Sequence, residues 1–200
     1  MTFAVVPACG HSTRMGRTKL ALPLGNRTVI ERVVAALRDG GVAHIVVVTG
    51  AHVPELATLA AAAGAEVLAL PEATVDMRRT VERGLDWIEA HHAPDPNDGW
   101  LLTPADQPGI SADVVMRVIA AGKESPGSII VPVHGGRRGH PALLRWRHVV
   151  GIRSLESNIG INSFMRQNAE TRELPVETSG ILADLDTPED YRAHSGYWNE

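Results

Sequence analysis

Short apolar runs rich in β-branched residues alternate with segments of helical periodicity, and this rhythm constrains the fold more than any other feature. "FAVVPA" (3–8) has the composition of a strand buried on both faces. "TVIERVVAALRDGG" carries Val29, Ile30, Val33, Val34 and Leu37 at helical spacing, with Thr28 placed to cap it and Gly40–Gly41 to stop it. "HIVVVTG" (44–50) is a second strand. "VPELATLAAAAG" (53–64) is a helix with Pro54 in its first turn, and "AEVLAL" (65–70) is a third strand. Residues 75–91 predict a helix, "HAPDPNDG" a polar loop, "WLLTPADQP" a strand running into a turn, "SADVVMRVIAAG" a capped helix and "SIIVPV" a fifth strand. Strands alternating with helices imply right-handed crossovers, hence a mostly parallel sheet with helices on both faces.

Beyond residue 134 the rhythm changes. "HGGRRGHPALL" reads as a glycine-rich turn into a strand. "VETSGILADLDTPEDY" (176–191) predicts a last strand and then a helix starting at Thr187 or Pro188. No repeat, low-complexity tract or linker divides the 200 residues, so one domain over 1–200 is expected.

Composition removes several function classes. An apolar content of 44% and a charged content of 21% are globular values. A net charge of −4 argues against general nucleic-acid binding, which needs a basic face. Cys9 is the only cysteine, which excludes an intramolecular disulfide and a multi-cysteine metal site. The start has no basic segment ahead of its short apolar run, and no apolar run approaches the ~18 residues of a membrane span. A cytoplasmic location without membrane contact is the expectation. The nine histidines are expected to form no metal cluster, and His91–His92 to lie at an exposed helix end.

Three polar segments follow strands: residues 9–19, 103–108 and 184–190. Ligands of open α/β sheets bind beyond the carboxyl ends of the strands, so these segments can converge on one site. In the first, Gly10 and Gly16 free the backbone to turn and expose N–H groups. Arg14 offers a fork of donors to phosphate oxygens, and Lys19 a point charge. The spacing fits neither the P-loop nor the G-x-G-x-x-G fingerprint. A phosphate-holding loop and a solvated basic loop both remain open, and position after the first strand favours phosphate. Ser12 can bond the loop backbone or a ligand. Asp106, in "PADQP", can reach a Mg²⁺ bridging phosphate oxygens or can simply form a turn. Asp184 and Asp186 flank Leu185, and in an extended segment they share a face. One can ligate a metal, while Asp186 or Thr187 can cap the following helix. His140, in "RRGHP", can face a substrate or nothing.

In series, these motifs resemble one family. "ACGHSTRMGRTKLALPLGNRTVIERVV" is similar to the opening A-G-G/A-x-S-x-R-M-G-x-x-K-x-L-L-x-x-x-G of the MobA-like nucleotidyltransferases. "PADQP" resembles their G-D-Q-P segment, and "DLDTPEDY" their D-x-D-T-P-E-D ending. "PVHGGRRGHPALL" resembles the G-x-P segment of the branch holding the molybdenum cofactor cytidylyltransferases. The matches run in order from residue 3 to 192.

The resemblance implies a Rossmann-like three-layer α/β/α sandwich of the nucleotide-diphospho-sugar transferase type, with a mixed, mostly parallel sheet and one strand reversed. It implies Mg²⁺-dependent transfer of a nucleotide, from CTP or GTP, to a phosphorylated small-molecule acceptor such as a molybdopterin-type cofactor, with a molybdoenzyme as a partner. Arg14 would contact the β- and γ-phosphates and Lys19 the α-phosphate. Gly10, Ser12 and Gly16 would shape the loop, and Ala8, Cys9 and Thr80 would lie near the base or ribose. Asp106 would bind Mg²⁺ with Asp186, Asp184 being the reserve. Arg138, His140 and Pro141 fall on the acceptor side. An anionic acceptor phosphate needs no general base, which suits a chain with no visible acid–base triad.

Three departures from the family pattern stand out. Ala8–Cys9 replaces a Gly-Gly or Ala-Ala pair near the base. Arg78 and Arg79 add positive charge where serines are usual. "SNIGINSFMRQN" (157–168) keeps only Gly160 of a G-D-x-G-x-R-x-L segment. Transfer to a sugar or alcohol phosphate, a nucleotide-binding or chaperone-like role without transfer, and an NAD(P)-dependent reductase on the same scaffold are the alternatives.

Overall fold

In the computed structural model, residues 1–10, 18–72 and 74–198 are described, with side chains to residue 193. The strands are β1 (Thr2–Ala8), β2 (Pro23–Leu24), β3 (Arg27–Thr28), β4 (His44–Gly50), β5 (Glu66–Leu70), β6 (Gly99–Leu102), β7 (Ile129–His134), β8 (Arg137–Arg138), β9 (Ala142–Arg145) and β10 (Thr171–Pro175). The helices are α1 (Val29–Asp39), α2 (Pro54–Ala62), α3 (Met77–His92), α4 (Ala112–Glu124), α5 (His148–Arg153), α6 (Ile161–Gln167) and α7 (Pro188–Trp198).

The main sheet has the order β10-β7-β9-β6-β1-β4-β5, with β8 attached to β7. β1 pairs in parallel with both β4 and β6. β9 runs antiparallel to β6 and β7, so it is the reversed strand along this path. Residues alternate across the sheet. Ala4 and Val6 of β1 face the core under α1, α2 and α4, whereas Phe3 and Val5 face the core under α3, α5 and α6. Both faces are buried, which is why β1 and β4 are apolar along most of their length. This is the expected α/β/α sandwich.

Local signals act as read. Thr28 accepts from the Glu31 amide while the Glu31 carboxylate accepts from the Thr28 amide, a complete capping box on α1. Ser111 caps α4 through the Val114 amide. Helix α7 begins at Pro188, as expected, and the Tyr191 hydroxyl donates to the Pro23 carbonyl. No helix among the described residues is long and apolar enough to cross a membrane.

The last strand differs from expectation. It lies at Thr171–Pro175, and 176–187 is irregular backbone with a 3-10 turn at Ser179–Leu182. "TRELP" pairs in parallel with β7 at the sheet edge, mostly exposed. An edge strand needs no apolar run, so its sequence carries little signal.

Candidate active site

The carboxyl ends of β1, β6 and β7 lie at one end of the sheet, and Lys19, the loop after β6 and the segment before α7 meet there. β6 ends at Leu102, and Thr103 to Pro108 carry the chain over the sheet edge. The Leu185 amide donates to the Asp106 carbonyl at 3.0 Å, tying this loop to the segment before α7. Two glycines make the fit possible. A Cβ on Gly180 would sit 2.1 Å from the Gly109 carbonyl oxygen, and one on Gly139 would sit 2.3 Å from the Ile181 carbonyl oxygen. Backbone packs on backbone at both points.

This packing delivers the side chains. Lys19 Nζ lies 2.7 Å from Asp106 Oδ2 and 2.9 Å from Asp186 Oδ1. Burial pulls the Lys19 pKa down, but the two carboxylates outweigh it and raise it above the ordinary lysine value. Asp184 accepts from Gln107 Nε2 at 2.6 Å. Burial raises the Asp184 pKa, Gln107 opposes this, and the charges of Asp106 and Asp186 add to the rise. Asp186 is not the helix cap. Thr187 accepts from the Asp190 amide, and Asp190 accepts from the amides of Thr187 and Asp186. The Asp186 carboxylate therefore stays turned to Lys19.

At the end of β1, Ala8 is buried and Cys9 half-buried. The Cys9 thiol donates to the Val48 carbonyl at 3.4 Å. Burial pushes the thiol pKa up, against a hydrogen bond with Thr80. An uncharged thiol is a poor nucleophile, so Cys9 is a small apolar neighbour here. Thr80 is buried on α3, and its hydroxyl bonds the Asp76 carbonyl and the Thr74 hydroxyl. Among the described residues, a Cβ on Gly10 would meet nothing within 4 Å. Ser12, Arg14 and Gly16 lie outside the described residues.

On the far side, a pocket of about 390 Å³ is lined by Arg137, Arg138, His140, Asn162, Met165 and Arg166, with Val131 and Gly139 at its base. His140 lines it, whereas Pro141 is buried beside it. Burial lowers the His140 pKa to about 4, against the pull of Asp106, so the ring is neutral at pH 7. Arg138 also pairs with Glu173 at 2.8 Å.

Two groups escape the sequence reading. Arg78 is not a free cation near the nucleotide loop. It is buried, donates to the carbonyls of Leu155, Glu156 and Ile159 at 2.8–3.1 Å, and sits 3.6 Å from Glu82. Its place in the stripe Arg78, Val81, Leu85, Ile88 is the signal that could have revealed this. His92 is not an exposed helix end either; it packs with His44 and Glu66.

A mostly parallel sheet with β8 and β9 reversed, bearing a lysine between aspartates at its carboxyl edge, is the frame of an α/β enzyme of the nucleotidyltransferase class. The family model of the MobA-like NTP transferase domain matches residues 4–172, and the chain belongs to that family. It is 22% identical over 189 residues to the molybdenum cofactor cytidylyltransferase of Escherichia coli K12, covering 94% of this chain and 92% of that one. It is 32% identical over 144 residues to a molybdenum cofactor guanylyltransferase of Mesorhizobium japonicum, covering 71% and 65%. In fold it resembles Rv0371c of Mycobacterium tuberculosis H37Rv, solved in complex with manganese, with a TM-score of 0.76, 23% identity and 98% of each chain covered.

Proposed function

We propose that this enzyme moves CMP or GMP from a nucleoside triphosphate to a phosphorylated small-molecule acceptor, releasing pyrophosphate. A molybdopterin-type cofactor is the acceptor that the names of the curated relatives suggest. The observation that carries the reading is the contact of Lys19 with Asp106 and Asp186 beside an arginine-lined pocket.

In this reading Arg14 and the turns at Gly10, Ser12 and Gly16 hold the β- and γ-phosphates. Lys19 holds the α-phosphate, and Ala8, Cys9 and Thr80 border the base and ribose. Arg138 and His140, with Pro141 behind them, belong to the acceptor side, joined by Arg137 and Arg166. An oxygen of the acceptor phosphate attacks the α-phosphorus. The bond from that phosphorus to the bridging oxygen breaks, and pyrophosphate leaves with the electron pair. No proton moves, so neutral His140 serves by hydrogen bonding and shape. The chain's work is to align the two anions and offset their charge.

Asp106, Asp184 and Asp186 outnumber the one ammonium among them, and Asp184 is raised partly by the charge of the other two. An all-oxygen, charge-excess donor set fits a hard divalent cation, so Asp106 and Asp186 would hold Mg²⁺, with Asp184 in support. When bound, Mg²⁺ would neutralise charge on the phosphate oxygens.

Pyrophosphate release, measured with each of four triphosphates against a panel of phosphorylated acceptors, tests the reading. Turnover with CTP or GTP is expected. Melting shifts with NADPH and with no triphosphate would overturn it in favour of a reductase.

A further inference from the structure

A second constellation lies at the opposite end of the sheet. His44 is the first residue of β4, Glu66 the first of β5 and His92 the last of α3. Register brings them together. Val46 pairs with Glu66, so the two share a face, and His44, two residues before Val46, shares it too. That face lies under α3, where His92 extends the stripe of Val81, Leu85 and Ile88. β4 has seven residues, which separates its two ends by roughly 20 Å. This cluster is therefore remote from Lys19 and Asp106.

Its geometry is close. His44 Nδ1 lies 3.1 Å from Glu66 Oε1, and His92 Nε2 lies 2.9 Å from Glu66 Oε2. The three ligand atoms lie within 4.8 Å of one another. Both imidazoles pack on Phe3, with centroids 5.6 and 5.7 Å away, and on each other at 4.0 Å. Trp87 Nε1 donates to Glu66 Oε2 at 3.1 Å, the kind of outer contact that orients a ligating carboxylate. Glu66 and His44 remain one-third exposed, so an ion can enter.

We infer that His44, Glu66 and His92 form a transition-metal site that ties β4, β5 and the end of α3 together. Two imidazole nitrogens and one carboxylate oxygen suit Zn²⁺ far better than Mg²⁺, which prefers oxygen alone. Donor atoms of a four-coordinate Zn²⁺ stand roughly 3.3 Å apart, given bonds of about 2.0–2.2 Å. The two short contacts reach different oxygens of Glu66, so small rotations of the rings and the carboxylate would bring both nitrogens to that distance from one oxygen and from each other. A solvent molecule completes the shell on the exposed side. Three protein ligands leave the fourth position to solvent, and their place on three separate elements gives the ion a tethering role.

Isothermal titration of the metal-stripped full chain with ZnCl₂, and Co²⁺ absorption as an optical probe, test the site. The expected result is one Zn²⁺ per chain with a raised melting temperature, and visible Co²⁺ bands of a four-coordinate ion. His44→Gln and His92→Gln should each weaken Zn²⁺ at least 10-fold and abolish those bands, while Asp106→Asn changes neither. Absence of Zn²⁺ binding by wild type, or unchanged binding in both histidine variants, overturns the proposal. Should a variant not fold, X-ray absorption of Zn²⁺-loaded wild type decides. Two imidazoles in the first shell support the site, and an all-oxygen shell refutes it.

Discussion

Lys19 and Asp106, 87 positions apart in sequence, meet at 2.7 Å beyond the carboxyl end of β6. Asp186 completes the contact at 2.9 Å. If this lysine offsets charge at the phosphorus under attack, its loss should act on the chemical step. Lys19→Met is expected to lower kcat by about 10²-fold or more, a typical effect of removing one aimed donor, with a much smaller change in KM for the triphosphate. Steady-state kinetics check the split, and an effect confined to KM would contradict this role.

Arg78 is predicted to matter for stability rather than for binding phosphate. Replacing it with Met leaves three carbonyls without their donor, while Glu82 keeps Arg79 as its cation. Leaving a buried acceptor without its donor costs ~1–3 kcal/mol. Arg79, whose side chain is half exposed, should cost about 1 kcal/mol or less when changed to Ala. Urea unfolding of the two variants measures the difference.

Gly180→Ala should separate the loops that carry the aspartates. The new Cβ would drive against the Gly109 carbonyl, where only backbone can yield. A loss of about 1–3 kcal/mol is expected from the strain. Transfer should fall further than stability alone explains, because Asp184 and Asp186 move relative to Asp106. Activity measured well below the melting temperature separates the two effects.

His140 gives a pH signature. Its folded pKa, about 4, lies below the ~6.5 of an unperturbed histidine. Between those values the unfolded chain binds the proton that the folded one refuses, so stability rises with pH across this window. The contribution is complete above about 6.5 and is lost as pH falls toward 4. His140→Asn should flatten that slope in urea titrations at pH 4 to 7. An unchanged slope would mean that the ring titrates normally.

Asp106 and Asp186 were legible because one stands just past a buried run and the other just before a capped helix, and Lys19 because it lies in the polar segment between β1 and α1. Their order along the chain matched a family pattern. The bond from Gln107 to Asp184 was not legible, since it joins loops 77 positions apart through side chains. β10 escaped because an exposed edge strand needs no apolar alternation. The His44–Glu66–His92 cluster depends on the register of β4 against β5, which spacing alone does not set. Arg78 carried a signal, its position on the apolar stripe of α3, but charge masks burial in a sequence.

The most direct test follows the label of α-³²P CTP or GTP in the presence of Mg²⁺ and a phosphorylated acceptor. Wild type and Asp106→Asn are compared side by side. The account predicts label in the acceptor and unlabelled pyrophosphate from wild type, with the rate reduced at least about 10²-fold in the variant. Label that never reaches an acceptor, or equal transfer by Asp106→Asn, would contradict it.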